Sequence, residues 1–417
     1  MSKTKIFVSA YACEPDHGSE IGVGWHWVLE MSKRFELWVL TRESNRSSIE
    51  PWISSHANYS HIHFIYYDLP RWTRWWKKGQ RGVRIYYNIW QRMTDSIVRD
   101  TMQRNSISIY HLLTYGNSLW PASRYGQRQF FIWGPIGGVD TIPKDFTRHY
   151  NFRWRLIEKI RRIVVSLLPY NYGFQQRCKN ARLILCKSHS MIEAINVKYR
   201  DKAIICTDVA TDLSTPSSTI CPATSSSSGT THFLIVGRLD AWRGFDLAIE
   251  ALAKAIRLNP HLHLNILGHG SDKPRLLKLV SNLHLESHVT FWGNVPMSEY
   301  QRHLACCDVV LNPCLKEGAV TTAFDSLSYG KPLICIDTGG YTGYFGPTHA
   351  IILSRQDRSQ VIENLSEAML KLADKTTREG MGREALRRSK EISWESKGKE
   401  ICDLISDCWN RHSQSFS

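Results

Sequence analysis

The stretch Asn312-Pro313-Cys314-Leu315-Lys316-Glu317-Gly318-Ala319-Val320-Thr321-Thr322-Ala323-Phe324-Asp325 decides the reading of this chain. It follows the apolar run Asp308-Val309-Val310-Leu311, which predicts a buried strand, and it leads into a short helix closed by Gly330. One carboxylate, Glu317, sits in the loop, and a second, Asp325, sits on the helix. Eight helical steps span roughly 12 Å, too far for two acids to flank one bond. The spacing suits two acids that hold hydroxyls at opposite ends of one elongated ligand. Between them the backbone amides of Ala319, Val320 and Thr321 lie at a helix N-terminus, where phosphate is favoured. Sugar hydroxyls, diphosphate and ribose hydroxyls in that order describe a nucleotide sugar.

A second motif agrees. Thr231 to Val236 reads as a strand, followed by Gly237-Arg238-Leu239-Asp240-Ala241-Trp242-Arg243-Gly244 and a helix from Phe245 to Leu258. A glycine and two guanidinium groups in a strand-to-helix loop suit a diphosphate, because Arg forms charge-assisted bonds to phosphate oxygens.

Together these motifs resemble the signature of the retaining glycosyltransferases with the two-Rossmann-domain (GT-B) architecture. That family carries Glu, seven residues, then Glu; here the second acid is Asp325. Its Gly-Phe-Gly is here Gly318-Ala319-Val320. Arg238 and Arg243 fall on the family's cationic positions, the latter in place of Lys. The resemblance implies an α/β chain of two facing Rossmann-like domains with a C-terminal helix crossing back to the first. It implies a hexosyl- or N-acetylhexosaminyltransferase of bacterial surface-polysaccharide type. Glu317, Arg238 and Arg243 would be catalytic. Asp325, Gly318, Ala319, Val320, Thr321 and Gly237 would hold the donor. No cofactor and no metal is expected, the guanidinium groups replacing a cation. Nucleotide-sugar epimerases share this shape and are the alternative, with a non-catalytic membrane-associated scaffold as a third reading.

Strand and helix patterns alternate along the whole chain, which implies parallel sheets. The expected divisions are 1–212 for an N-terminal acceptor domain and 213–230 for a Ser-rich linker. Residues 231–394 form the nucleotide-sugar domain and 395–417 the crossover helix and tail. In the first domain, Gly18-Ser19-Glu20-Ile21-Gly22-Val23-Gly24 opens a helix after the first strand and resembles the glycine loop of a surface-polysaccharide branch of the family. Gly18 and Ser19 are its expected contact positions. The spacing is not that of a dinucleotide fingerprint. Glu20 reads equally as a helix-start acid. His111 stands where relatives carry an acceptor-side histidine, although Leu113 replaces the second His of their His-x-His, and a structural role is the other reading.

The net charge of +15 on 417 residues calls for a partner. Arg71 to Arg84 holds six cations, three tryptophans and no acid, and Asn151 to Pro169 interleaves Arg and Lys with Trp and aliphatics. Such mixtures suit an anionic membrane surface. A solvated helix face or a groove for acceptor phosphate also fits, and no nucleic-acid motif accompanies the charge. A lipid-linked saccharide acceptor and a location on the inner face of the cytoplasmic membrane follow. The 11 cysteines form no Cys-x-x-Cys pair, and their odd number favours reduced thiols in a cytosol. The apolar run at the N-terminus reads as a first strand rather than a signal, and no run is long enough to span a bilayer.

Overall fold

The computed structural model describes residues 3–73, 82–213, 229–316, 320–341 and 343–414, without the side chains of Ser19 and Arg71. The chain divides into two units, each built on its own parallel sheet. The first comprises Met1–Val139, Ser166–Asp208 and Trp394–Ser417; the second comprises Asp140–Val165 and Val209–Ser393.

The first sheet contains β1 (Lys5–Ser9), β2 (Glu36–Thr41), β3 (Ile62–Tyr66), β4 (Ile109–Leu112), β5 (Phe130–Ile136), β6 (Ala181–Cys186) and β7 (Ala203–Ile205). Their order is β3-β2-β1-β4-β5-β6-β7. The second contains β8 (Thr231–Val236), β9 (Leu262–Leu267), β10 (Val289–Gly293), β11 (Val309–Asn312), β12 (Leu333–Ile336) and β13 (Ala350–Leu353), in the order β10-β9-β8-β11-β12-β13. Such strands, covered on both faces, read as continuous apolar runs. Phe7, Val8, Val39, Ile132, Leu234, Val310 and Ile334 are all fully buried.

Each sheet reverses its strand order once, between β1 and β4 and between β8 and β11. The loops leaving such a pair in opposite directions open a crevice at the carboxyl ends of the strands, where α/β sheets receive ligands. All the candidate loops of the sequence leave one of these four strands. The Gly18 loop follows β1, Leu113 and Thr114 follow β4, Gly237 to Gly244 follow β8, and Pro313 to Thr321 follow β11.

One expected division differs in the structure. The first domain is not a continuous 1–212, because Asp140–Val165 packs with the second unit. Ile142, Phe146 and Tyr150 are buried in the second hydrophobic core, and Trp154 packs against it. A carboxylate in this segment, Asp145, accepts the Arg358 amide at 3.1 Å. Most of the expected linker, 214–228, lies outside the described residues. The C-terminal helix runs Trp394–Gln414 and belongs to the first unit, as the resemblance implied. There it packs on the Ser19–Ser32 helix: Trp394 stacks on His26 at 4.8 Å, and Arg34 pairs with Asp403. Among the described residues nine cysteines are free, eight of them buried.

Candidate active site

In the second unit the two signature loops are joined by their backbones. Gly244 has φ +72°, and a Cβ there would come within 2.1 Å of the Pro313 carbonyl oxygen. Only glycine permits both the left-handed backbone and that approach. Just beyond, the Leu315 amide donates to the Trp242 carbonyl at 3.1 Å. The guanidinium of Arg355 donates to the Leu315 carbonyl at 2.7 Å and to that of Thr141 at 3.2 Å. The Gly244–Pro313 and Trp242–Leu315 pairs are each about seventy positions apart in the sequence.

The cations of the β8 loop stand at that junction. Arg243 lies 4.3 Å from the Trp242 ring, and Lys316 lies 5.0 Å from the same ring. Lys316 is buried and paired with the buried carboxylate of Glu158. Burial pushes its ammonium below the usual lysine range, and Glu158 pulls it partly back. Arg238 is largely exposed and donates to Asp240 at 2.7 Å, so its guanidinium is anchored at one end and open to solvent. Gly237 donates its amide to the Leu267 carbonyl at 3.0 Å.

The β11 loop ends at Val320, which caps the Thr321–Ser328 helix in extended conformation, with no side chain closing the cap. The first amides of a helix have no partner within it, so this end presents donors and a positive dipole. One turn in, the Tyr300 hydroxyl donates to Asp325 at 2.6 Å. Burial pushes the Asp325 carboxyl up to about 7, against the lowering effect of that hydrogen bond. A carboxylate accepts several hydrogen bonds, so Tyr300 orients Asp325 without exhausting it. Tyr300, from the Met297–Cys306 helix, was not singled out in the sequence. Glu317, Gly318 and Ala319 lie outside the described residues.

In the first unit the glycine loop has a structural explanation. Gly18 precedes the Ser19–Ser32 helix with φ −83°, a conformation open to any residue. A Cβ on Gly24 would lie 2.1 Å from the Ala12 carbonyl oxygen, so that glycine lets the helix pack against the strand exit. Glu20 accepts the Tyr115 amide at 2.8 Å and Thr114 accepts the Ala12 amide at 3.0 Å, tying the loops after β1 and β4 together. Beside them is a small pocket whose walls include Glu20, Trp27, Thr114, Gly116, Lys187 and Asp208. Lys187 and Asp208 form an ion pair there, and the Trp27 indole donates to the Asp208 carbonyl at 2.8 Å. Neither Lys187 nor Asp208 carries a sequence signal, because they come from the ends of separate strands.

His111 does not reach this pocket's lining. It is fully buried in β4, its Nε2 sits 2.7 Å from the Gly134 carbonyl, and burial holds its pKa down to about 4. Of the first basic cluster, Trp72 is exposed, while 74–81 lie outside the described residues. Among the described residues no three His, Cys, Asp or Glu side chains gather as metal ligands, and no helix is long and apolar enough to cross a membrane.

Comparison with known proteins bears mainly on the second unit. Residues 220–388 match the sequence model of the family described as glycosyl transferases group 1. Among curated relatives, the D-inositol 3-phosphate glycosyltransferase of Pseudarthrobacter chlorophenolicus is 28% identical over 192 residues, 44% of each chain. The N-acetylgalactosamine-N,N'-diacetylbacillosaminyl-diphospho-undecaprenol 4-alpha-N-acetylgalactosaminyltransferase of Campylobacter jejuni is 35% identical over 106 residues, 25% of this chain and 27% of that one. The chain thus matches less than half the length of these relatives. Among solved structures, Anabaena HepE in complex with UDP and glucose superposes with a TM-score of 0.58 at 13% identity, covering 97% of this chain and 100% of that one. This likeness establishes the GT-B fold.

Proposed function

From the premise that residues 220–388 are a glycosyl transferases group 1 region within a GT-B fold, we propose that this chain is a retaining, metal-independent glycosyltransferase. It takes a sugar from a nucleoside diphosphate sugar and passes it to a lipid-linked saccharide in surface-polysaccharide synthesis. The carrying observation is the junction of the two loops after β8 and β11, fastened through Gly244 and Pro313. It sets Arg243 and Lys316 each against the ring of Trp242, on the loops that precede the Phe245–Ala255 and Thr321–Ser328 helices.

In this reading Arg238, Arg243 and the loop amides stabilise negative charge growing on the leaving diphosphate. Glu317 holds hydroxyls of the transferred sugar, and Asp325, oriented by Tyr300, holds those of the ribose. The first unit's pocket, with Glu20, Lys187 and Asp208, is assigned to the acceptor. Lipid-linked acceptors are named for the Campylobacter relative, and the cationic surface of this chain suits enzymes working beside an anionic inner leaflet.

Thermal unfolding of the full chain with UDP, GDP, ADP or CMP tests the donor assignment, since a ligand of the folded state raises its melting temperature. One of the nucleoside diphosphates is expected to do so undiminished in EDTA. Glu317→Gln should still bind that nucleotide while transfer falls about a hundredfold or more. No shift with any nucleotide would refute the reading, and activity lost to EDTA and restored by manganese would refute its metal independence.

A further inference from the structure

The Phe152–Ser166 helix is amphipathic the wrong way round. Its only buried residue is an acid, Glu158. The positions nearest the protein are Trp154, Glu158, Arg161, Arg162 and Val165, and the two arginines donate to the carbonyls of Asp140 and Ile142. The outward face instead carries Leu156, Ile160 and Ile163, which are 45%, 53% and 51% exposed, with Val164 beside them. A helix on a water-facing surface shows the opposite arrangement. Arg153, Arg155 and Lys159 are also exposed, and the helix carries no exposed acid. An apolar stripe bordered by cations matches an anionic bilayer surface in both hydrophobicity and charge. A second copy of this chain laid on the same patch would set cations against cations.

The buried side of the helix leads to the donor loop. Glu158 pairs with Lys316, and Lys316 is adjacent in sequence to Glu317. Arg355 adds a second tie by joining the Thr141 carbonyl to that of Leu315. We propose that the Phe152–Ser166 helix docks on an anionic bilayer through Leu156, Ile160 and Val164, and that Glu158 is a positioning residue that relays this docking through Lys316 to the donor loop. The relay rests on the donor reading above; the docking does not.

The test uses the full chain with phosphatidylcholine vesicles, with and without phosphatidylglycerol. The parent is expected to sediment with the anionic vesicles only, and less at high salt, since each cation near such a surface strengthens binding roughly fivefold. Its affinity for the nucleoside diphosphate should rise severalfold when those vesicles are present. The triple variant Leu156→Gln, Ile160→Gln, Val164→Gln should bind vesicles about tenfold more weakly and keep the vesicle-free nucleotide affinity. Glu158→Gln should bind vesicles like the parent but lose the vesicle-dependent gain, and Glu158→Asp should recover part of it.

Equal sedimentation of the triple variant and the parent would overturn the docking. So would a change in the triple variant's oligomeric state without a change in vesicle binding, because the stripe would then be a contact between copies. A parent nucleotide affinity indifferent to vesicles, or a gain retained in Glu158→Gln, would overturn the relay. Should Glu158→Gln unfold, Lys316→Met replaces it with the same expected loss. Failure of every nucleotide to bind would remove the donor reading, while sedimentation still decides the docking.

Discussion

Asp325 shows what a single position adds to a motif. Its spacing from Glu317 was legible in the sequence, but its environment was not, because Tyr300 reaches it from another helix. Burial first, and Asp212 to a lesser degree, raise its pKa from 3.8 to about 7. The folded state therefore holds a proton that the unfolded chain releases between those values. The stability this contributes is fully present below pH 4 and is lost as pH rises toward 7, amounting to at most about 4 kcal/mol. Asp325→Asn removes the titration. Melting temperatures of parent and variant measured from pH 4 to 8 should diverge in the variant's favour up to pH 7 and run parallel above it. Parallel curves throughout would mean that the carboxyl is not sheltered as described. His111 was ambiguous in the sequence for a related reason. A residue in a parallel strand covered on both faces gives no alternation to say which way it points, and only the packing shows that it faces Gly134.

At the scale of elements, most strands and helices could be read directly. Runs such as Val309–Asn312 and Thr231–Val236 are apolar, bounded by loops, and observed as β11 and β8. What could not be read was how the loops meet. In the sequence Gly244 only closes the loop after β8, yet it is the contact through which that loop admits the Pro313 carbonyl. Gly244→Ala would both strain a left-handed backbone and crowd that carbonyl. We expect a loss of about 1–3 kcal/mol in stability. We also expect a loss of nucleotide affinity larger than any change in the first unit's properties. Calorimetry with the nucleoside diphosphate distinguishes this from a bland surface turn, for which affinity would stay at the parent value. The Asp140–Val165 segment was misplaced by the sequence reading because its continuity with the first unit is obvious in one dimension. Its burial of Ile142, Phe146 and Tyr150 in the second core depends on three.

For the whole molecule, regular alternation of strands and helices fixed the class, and two strand-order reversals now account for where each motif lies. Both units gather loops at the carboxyl ends of diverging parallel strands. The loops after β8 and β11 stood out in the sequence because glycines, cations and a helix start cluster in short runs there. The first unit's pocket did not stand out, because Glu20, Lys187 and Asp208 are scattered singles whose convergence is a product of folding. The central claim is transfer with retention from a nucleotide sugar, and the anomeric configuration of the product tests it most directly. Proton NMR of the product should be recorded as it forms from the accepted nucleotide sugar and a polyprenyl-diphosphate-linked saccharide. The new glycosidic bond is predicted to have the same anomeric configuration as the donor's sugar–phosphate bond. An inverted linkage, or an epimerised nucleotide sugar with no linkage formed, would contradict it.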